Sequence, residues 1–368
     1  MGSAVMQRKL NDARTLALSL GDQPAVLATY VSGSLTAGLG NTTSDADVFA
    51  VVGDEADLPA SPPQYLAESG RIDVEYVRTG DLRACVERLG RFRVERESFT
   101  AARLPEDELD LLARFHYRLD AAPGPELAEL AARLSGLQSR LRQALISHWS
   151  RVVSDALEDL RGAVLDDDPD TAVVVGQKLL LGAAKALAAG CGDYYVGAKW
   201  AFRQVRRSAP GFPLDRLRLA QRGGWADTAA PAASAGDGAI RLAQAMLAAA
   251  ELLGWDEPLA DRWPWPEPAN GREGREAAAD GPVLRRQTDC LPFRLDRGVL
   301  LNRELVRQHV VQTGIAAVWA LCDGPIGDVQ ARYAQLSEQV ELSLPGAATV
   351  PDVVRALAAR QLIDTDGR

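Results

Sequence analysis

The stretch VSGSLTAGLGNTTSDADVFAVV, residues 31–52, places a Gly-Ser pair and a loop rich in glycine and threonine before two aspartates, Asp45 and Asp47. The apolar residues on either side of the loop predict two β-strands. Side chains two residues apart on a strand project from the same face, so we expect both carboxylates on one side of the second strand. Two like charges this close repel each other unless a cation lies between them.

A divalent metal ion would relieve this repulsion. Mg²⁺ prefers carboxylate oxygens and commonly completes its coordination with substrate phosphates. Further carboxylates are available in RIDVEYV, residues 71–77, where Asp73 and Glu75 share one face of another predicted strand. Gly33 and Ser34 end the first strand, where a residue without a side chain lets backbone N–H groups approach a phosphate closely. The sequence therefore predicts a metal-bound triphosphate beside these carboxylates.

A Gly-Ser pair, ten residues, an Asp-x-Asp unit and a later acidic strand follow one another over residues 25–80. This order resembles the DNA polymerase beta-like nucleotidyltransferase superfamily. The resemblance implies two Mg²⁺ ions, an NTP co-substrate, and transfer of a nucleoside monophosphate (NMP) with release of pyrophosphate. It implies that Asp45 and Asp47 bridge the metals. Asp73 would bind the acceptor-side metal and help to deprotonate the nucleophile, and Glu75 is the alternative third ligand.

The resemblance also predicts which residues bind the nucleotide. Gly33, Ser34 and Ser44 would contact it from the loop. The segment KLLLGAAKALAAGCGDYYVGAKWAFRQVRR, residues 178–207, loosely resembles the helical second domain of small-substrate nucleotidyltransferases. Lys199 in this segment is the preferred phosphate ligand, since an ammonium group forms charge-assisted contacts with phosphate. The alternative for Lys199 is an ordinary surface charge.

Composition excludes several classes of function. The chain has 368 residues, 47% hydrophobic and 25% charged, and a net charge of −9, which provides no field to attract nucleic acid or an anionic membrane. No apolar run approaches the roughly 20 residues of a membrane span. The four cysteines and three histidines are scattered, so neither a zinc site nor a disulfide framework is predicted. We expect a cytoplasmic protein that binds neither nucleic acid nor membrane.

The pattern along the chain predicts a multidomain α+β protein of four segments. Residues 1–105 form a small mixed α/β catalytic domain, and residues 106–254 a helical-bundle domain that contacts nucleotide or substrate. Residues 255–286 are rich in proline, glycine and charge, which is typical of a linker. Residues 287–368 form a small winged-helix-like α+β domain.

The last segment alternates like short strands in CLPFRLDRGVLLN and LVRQHVVQT, and helices are predicted from Thr313 and in VPDVVRALAARQLID. This order resembles the PqqD-like peptide chaperones of pyrroloquinoline quinone biosynthesis, a type of recognition element for ribosomal peptides. The resemblance implies that the leader of a precursor peptide adds as a strand to an open sheet edge. A DNA-binding winged helix is the alternative, but residues 287–368 hold eight basic against ten acidic residues, which argues against phosphate binding.

Together these features predict a Mg²⁺-dependent nucleotidyltransferase. It would transfer NMP, with AMP favoured, from an NTP to a peptide or small biosynthetic substrate in a ribosomal-peptide pathway, and the C-terminal domain would recruit the precursor peptide. One alternative is an antibiotic-modifying adenylyltransferase of the aminoglycoside type. Another is an inactive scaffold that only presents the peptide.

Overall fold

The computed structural model describes residues 2–59, 63–96, 103–222, 232–265, 281–303 and 307–366. These residues form a mixed α+β structure, as the sequence predicts, and divide into two compact units. The first unit draws its residues from 1–92, 104–144 and 194–200. The second draws its residues from 93–103, 145–193 and 201–368.

The first unit is built on a mixed β-sheet. Its described strands are β1 (Val26–Ser32), β2 (Ala46–Val52), β3 (Gln64–Ala67), β4 (Gly70–Arg78) and β5 (Leu119–Ala122). They lie in the order β3-β4-β2-β1-β5, with β2 and β4 parallel and the other neighbouring pairs antiparallel. Strands β1 and β2, two of the three inner strands, are buried along most of their length.

Helices cover this sheet and complete the core of the first unit. They are α1 (Gly2–Gly21), α2 (Thr79–Arg91), α3 (Glu106–His116) and α4 (Pro125–Ser135). Ala13 and Ala17 of α1 pack against Val31, Val48 and Val74 from the three central strands. The small residues of α1 therefore let it lie close to one face of the sheet. Asp47 and Asp73, the residues before Val48 and Val74, project from the opposite face.

The second unit contains long packed helices. Helix α5 (Gln138–Leu165) continues into it from the first unit, and α6 (Pro169–Gly190), α7 (Ala201–Ser208), α8 (Leu214–Arg222) and α9 (Ala232–Leu252) follow. Asp168 caps α6 by accepting a hydrogen bond of 3.0 Å from the Thr171 backbone N–H, and Pro169 occupies the first turn. A Cβ atom on Gly190 would lie only 3.0 Å from the Cα of Ala250, so glycine allows α6 and α9 to approach closely.

Helix α6 is long and apolar enough to cross a membrane by length and composition alone, and 67% of its apolar window is buried inside the structure. Within the described residues it is the one helix that meets this criterion. Because most of this window is buried, the apolar composition of α6 is that of a core helix.

The C-terminal part of the chain forms two small three-stranded sheets. One contains β6 (Val283–Arg286), β10 (Asp323–Pro325) and β11 (Ile363–Thr365), and the other β7 (Cys290–Arg294), β8 (Val299–Arg303) and β9 (Arg307–Val311). Its helices are α10 (Thr313–Leu321), α11 (Ile326–Gln339) and α12 (Val350–Ala359). Helix α10 starts at Thr313, as predicted, and Thr349 and Asp352 form a capping box at the start of α12.

The division into units differs from the predicted domain boundaries at residues 105, 254 and 286, because the helical segment and the C-terminal segment pack together. The Gln244 amide on α9 donates to the backbone carbonyls of Gln287 and Cys290, each at 2.7 Å. Trp255 and Trp263, in the predicted linker, are each only 4% exposed. Residues 255–265 are thus part of a packed unit, and residues 266–280 of the predicted linker lie outside the described residues.

Glu251 on α9 joins three elements of the second unit. Its carboxylate accepts hydrogen bonds from the Ser150 hydroxyl at 2.5 Å and the Arg294 backbone N–H at 2.8 Å, and the residue is 1% exposed. Burial raises the pKa of Glu251 from its ordinary 4.5 to about 7. Between these pH values the folded chain retains a proton that the unfolded chain releases, so the free energy of unfolding falls as the pH rises through this window.

Glu251→Gln keeps the shape of the protonated carboxyl without its titration. In the wild type, the titration of Glu251 lowers the free energy of unfolding by up to about 3 kcal/mol between about pH 4.5 and about pH 7. We expect this decrease to be absent in the variant. Urea denaturation at about pH 5 and about pH 7.5 measures this difference. Glu158→Gln, at an exposed position of α5, serves as the control and should retain the wild-type pH dependence. An unchanged pH dependence in Glu251→Gln would contradict this assignment.

Candidate active site

The parallel pairing of β2 and β4 brings two of the predicted carboxylates together. Asp47 lies directly opposite Asp73 in the register, and Ser32 at the end of β1 lies opposite Asp47 on its other side. Glu75 is two residues further along β4, opposite Phe49. Because neighbouring strands lie about 4.8 Å apart, Asp47 and Asp73 are adjacent on the sheet.

Asp45 has a different position from the one predicted. Strand β2 begins at Ala46, so Asp45 precedes the strand instead of sharing its regular face with Asp47. Its carboxylate is paired with Arg71, which also places its Nε 3.2 Å from Asp73 Oδ1. Arg71 therefore links Asp45 to Asp73, the neighbour of Asp47 on the sheet. Strand alternation places Arg71 on the face of Asp73, and this was a signal for its participation that the sequence analysis did not use.

Gly33 makes the tight turn at the end of β1 and supports Asp47. It has φ = +92°, a conformation that L side chains rarely adopt, and a Cβ atom there would lie 1.9 Å from Asp47 Oδ2. The Asp47 carboxylate thus occupies the space that any side chain at residue 33 would fill. The predicted Gly-Ser turn and the predicted carboxylate are in direct contact.

Arg114 of α3 was not predicted, and it is part of the acidic cluster. Its Nη1 lies 3.5 Å from Asp47 Oδ1 and 3.6 Å from Glu75 Oε1, and its Nε donates to Asp110 Oδ2 at 2.6 Å. The backbone carbonyl of Arg114 accepts a hydrogen bond of 2.5 Å from the Ser32 hydroxyl, which ties the helix to β1. In sequence, Arg114 has the spacing of an ordinary (i, i+4) pair with Asp110, so no local signal distinguishes it from a surface arginine.

The carboxylates of this cluster lie in a field that disfavours their charged forms. Burial raises the pKa of Asp47 to about 6, and Glu75 and Asp73 act in the same direction while Arg114 opposes them. Burial also raises the pKa of Glu75, with contributions from Asp110 and Asp73. Arg114 therefore does not neutralise the cluster fully, and an additional cation at this place would stabilise the charged carboxylates.

The short segment from Tyr194 to Trp200 belongs to the first unit. Tyr195 and Trp200 pack with Ala37 and Leu39 of the loop that follows Gly33. Burial raises the pKa of Tyr195, and the Ser34 side chain beside the phenol opposes this shift. Lys199 is exposed, with its Nζ 5.4 Å from the centroid of the Trp200 ring. The structure thus brings Lys199, predicted from the helical middle of the chain, into the unit that holds the carboxylates.

Ser44 shapes the loop before β2. Its hydroxyl accepts a hydrogen bond of 2.9 Å from the Asn41 backbone N–H and lies 3.1 Å from Asn41 Oδ1. Its backbone carbonyl accepts a hydrogen bond of 2.7 Å from Lys9 Nζ. These contacts place Ser44 in a turn that orients the start of β2, and its predicted contact with nucleotide remains a prediction.

Asp47 and Asp73 are the carboxylates that could hold a metal ion in this cluster. Within the described residues, no three Asp, Glu, His or Cys side chains are arranged to hold an ion by themselves. Asp73 Oδ1 is buried and accepts no hydrogen bond of good geometry, although Arg71 Nε lies 3.2 Å from it, and Asp73 is the residue paired with Asp47. Mg²⁺ is commonly bound by one or two carboxylates together with substrate phosphates and water, so Asp47 and Asp73 fit this ion.

No family model and no curated protein matches the sequence of this chain. A solved structure that is similar to it is a nucleotidyltransferase-like protein from Exiguobacterium sibiricum 255-15, with 10% sequence identity and a TM-score of 0.38. The similarity covers 67% of this chain and 76% of that chain. A similarity this distant carries no functional conclusion.

Proposed function

We propose that this protein is a Mg²⁺-dependent nucleotidyltransferase that transfers NMP, with AMP favoured, from an NTP to a peptide or small biosynthetic substrate. The observation that supports this most directly is the pairing of Asp47 with Asp73 beside the Gly33 turn. Two carboxylates next to a backbone turn suit a metal-bound triphosphate, in which the phosphates complete the coordination.

The side chains have distinct roles in this reaction. Asp47 and Asp73 hold Mg²⁺, which when bound stabilises the charge on the phosphate oxygens. Asp73 accepts the proton of the acceptor hydroxyl. The acceptor oxygen then forms a bond to the α-phosphorus, while the bond from that phosphorus to the bridging oxygen breaks and pyrophosphate leaves with the electron pair. The register favours Asp73 over Glu75 in this role, since Asp73 is the direct neighbour of Asp47.

The nucleotide phosphates would lie beside the loop that begins at Gly33. Tyr195 packs against this loop, and the segment from Tyr194 to Trp200 also carries the exposed Lys199. We propose that Lys199 binds a phosphate as a mobile point charge. Arg114 supplies a second positive charge, and Asp110 holds it at the cluster by a bond of 2.6 Å.

A scaffold without catalytic activity is the second candidate, and one observation favours it. Arg71 pairs with Asp45 and Asp73, and Arg114 lies near Asp47 and Glu75. In this alternative the two guanidinium groups balance the acids permanently. The enzyme proposal requires instead that Mg²⁺ with its nucleotide competes with these ion pairs, most of which involve partly exposed groups and are weak for that reason.

Calorimetry and product analysis on the full chain separate the two candidates. The enzyme proposal expects each effective NTP to bind only when Mg²⁺ is present, and to release pyrophosphate together with an acceptor that gains the mass of one NMP. An aminoglycoside acceptor in place of a peptide would identify the antibiotic-modifying alternative. Absence of NTP binding with Mg²⁺ at millimolar concentrations would contradict the enzyme and leave the scaffold.

We further propose that the C-terminal part of the chain binds a precursor peptide at β9. Among the described strands, β9 pairs with β8 alone, and Val310 on β9 is 41% exposed. A cavity of about 590 Å³ runs between β9 and α12, with His309 on one side and Ala356 on the other. An open strand edge beside a groove is the arrangement that accepts an extended peptide as an added strand.

Ala356→Trp tests this peptide site. Ala356 is exposed and lines the groove, so we expect the indole to fill the groove and weaken leader-peptide binding by about tenfold or more. Ala359→Trp, at an exposed position of α12 outside the groove, is the matched control and should bind normally. Fluorescence anisotropy of labelled precursor peptides encoded near the gene measures the affinity. Equal affinities in both variants and the wild type would contradict a peptide site in this groove.

A further inference from the structure

A second cavity, of about 360 Å³, lies within the second unit. Helices α8 and α9 form part of its wall, and residues of α10 and α11 and the segment from Trp263 to Trp265 complete it. Its volume is in the usual range of small-molecule sites. Its described lining residues include four arginines and one carboxylate, Asp323. The arginines are Arg216, Arg241, Arg286 and Arg332.

Arg286 is a buried cation with incomplete compensation. The residue is 2% exposed. Its Nη1 donates to the Ala320 carbonyl, and its Nη2 donates to the Arg241 carbonyl at 3.0 Å. Its Nε is buried without a hydrogen-bond partner. Asp323 lies 3.8 Å from Nη2, at the outer limit of an ion pair, and is 39% exposed. Burying a charge is costly unless a counter-charge and hydrogen bonds satisfy it. The wall of the cavity therefore favours an anion.

Two of the neighbouring guanidinium groups, those of Arg241 and Arg332, donate hydrogen bonds to backbone carbonyls. Arg241 Nη1 donates to the Arg286 carbonyl at 3.0 Å, and Arg332 Nη2 donates to the Leu321 carbonyl at 2.7 Å. A carbonyl orients an arginine without cancelling its charge. Asp237, at 3.3 Å from Arg241 Nη2, is half-exposed and screens this charge only in part. The cavity thus presents arginines that are already oriented, which lowers the entropy cost of binding an anion.

The rest of the wall is apolar. Trp263 is buried, and its ring centroid lies 6.0 Å from that of Trp265. Leu219 on α8 lines the same cavity and is 71% exposed, which is unusual for a leucine. Leu242 and Ala245 of α9 add to this surface. A ligand that fits these walls has an apolar body in addition to its anionic group.

We propose that this cavity binds a small carboxylate with an apolar acyl or aryl body. The carboxylate pairs with the arginine cluster, because a planar guanidinium matches a carboxylate in geometry and charge. The apolar body contacts the tryptophans and Leu219. This site is independent of the nucleotidyl-transfer chemistry, since all of its lining residues belong to the second unit.

The full-length protein can be tested with an anionic fluorescent probe, 8-anilinonaphthalene-1-sulfonate. We expect saturable binding, energy transfer from tryptophan to the probe, and displacement by octanoate. Octanol has the same apolar body without the charge and should displace the probe about tenfold less well, because a hydrogen bond to a charged group contributes roughly 1.5–3 kcal/mol. Equal displacement by octanol and octanoate would overturn the proposal.

Two arginines on one helix give a matched pair of variants. Arg216 lines the cavity, whereas Arg218 on the same helix lies outside it and pairs with Asp215 at 2.7 Å. We expect Arg216→Gln to weaken octanoate binding about tenfold and Arg218→Gln to leave it unchanged. Circular dichroism checks that both variants are folded. Arg286 is not substituted, because its hydrogen bonds hold the core together. Equal affinities in Arg216→Gln and Arg218→Gln would overturn the proposal.

Discussion

Asp47→Asn is expected to reduce the rate of nucleotidyl transfer by about a thousandfold or more, which corresponds to roughly 4 kcal/mol of transition-state stabilisation. Asp47 is adjacent to Asp73 and in contact with the Gly33 turn, so a neutral amide there removes the proposed metal ligand without filling new space. The fold should persist. Burial raises the pKa of Asp47 to about 6, so at neutral pH its charged carboxylate destabilises the folded chain relative to the unfolded chain.

Pyrophosphate release measures the rate of nucleotidyl transfer. Thermal melting at about pH 7.5 measures how far the Asp47 charge destabilises the folded chain. Asp73→Asn should be equally inactive, and Glu75→Gln milder; the reverse ranking would assign the third carboxylate to Glu75. Asp120→Asn, at a partly exposed position of β5, is the control and should keep full activity. Full activity in Asp47→Asn would exclude the proposed metal chemistry.

The sequence predicted the strands of the site because their signals are local. Alternation in DADVFAVV and RIDVEYV identifies β2 and β4, and a Gly-Ser pair at the end of an apolar run identifies the turn at Gly33. The period of two along a strand places Asp73 and Glu75 on one face. What alternation cannot predict is the register, which makes Asp73 and not Glu75 the neighbour of Asp47.

The sequence pattern did not predict contacts between residues that are distant in sequence. Arg114 joins the cluster because α3 packs across the sheet, and an arginine four residues after Asp110 looks like any helical surface pair. Asp45 pairs with Arg71 through a contact that spans 26 residues of sequence, and its expected role as a metal ligand stays a prediction. Such contacts depend on the tertiary arrangement and leave no pattern in a single sequence.

The predicted linker likewise rested on local composition, which does not include tertiary packing. Proline, glycine and charge between Trp255 and Arg286 are typical of a linker, but Trp255 and Trp263 are buried and Gln244 binds backbone groups beyond the segment. Local composition indicates how flexible a segment is, but it does not indicate which of its tryptophans are buried by tertiary packing. The short segment from Tyr194 to Trp200 joins the first unit for a similar reason, through aromatic packing against the Gly33 loop.

Gly33→Ala is expected to reduce the transfer rate by about a hundredfold or more and to destabilise the fold. The new methyl group would meet Asp47 Oδ2 at 1.9 Å, and φ = +92° is strained for alanine. Backbone strain of this kind costs roughly 1–2 kcal/mol, and overpacking typically adds 1–3 kcal/mol. The displaced Asp47 carboxylate would lose its position beside Asp73, and a shift of about 1 Å at a reacting centre can cost a hundredfold in rate.

A double-mutant cycle separates the clash from the backbone strain. Gly346 has φ = +59° and open space around its Cβ position, so Gly346→Ala provides the cost of a left-handed alanine alone. If the clash with Asp47 dominates, Gly33→Ala should cost more than Gly346→Ala in the wild type and about the same in an Asp47→Ala background. Urea denaturation of the four proteins in the cycle and of Gly346→Ala measures this coupling. Additive effects of Gly33→Ala and Asp47→Ala would mean that the turn does not position the carboxylate, and the loss of rate would then arise from the loop backbone itself.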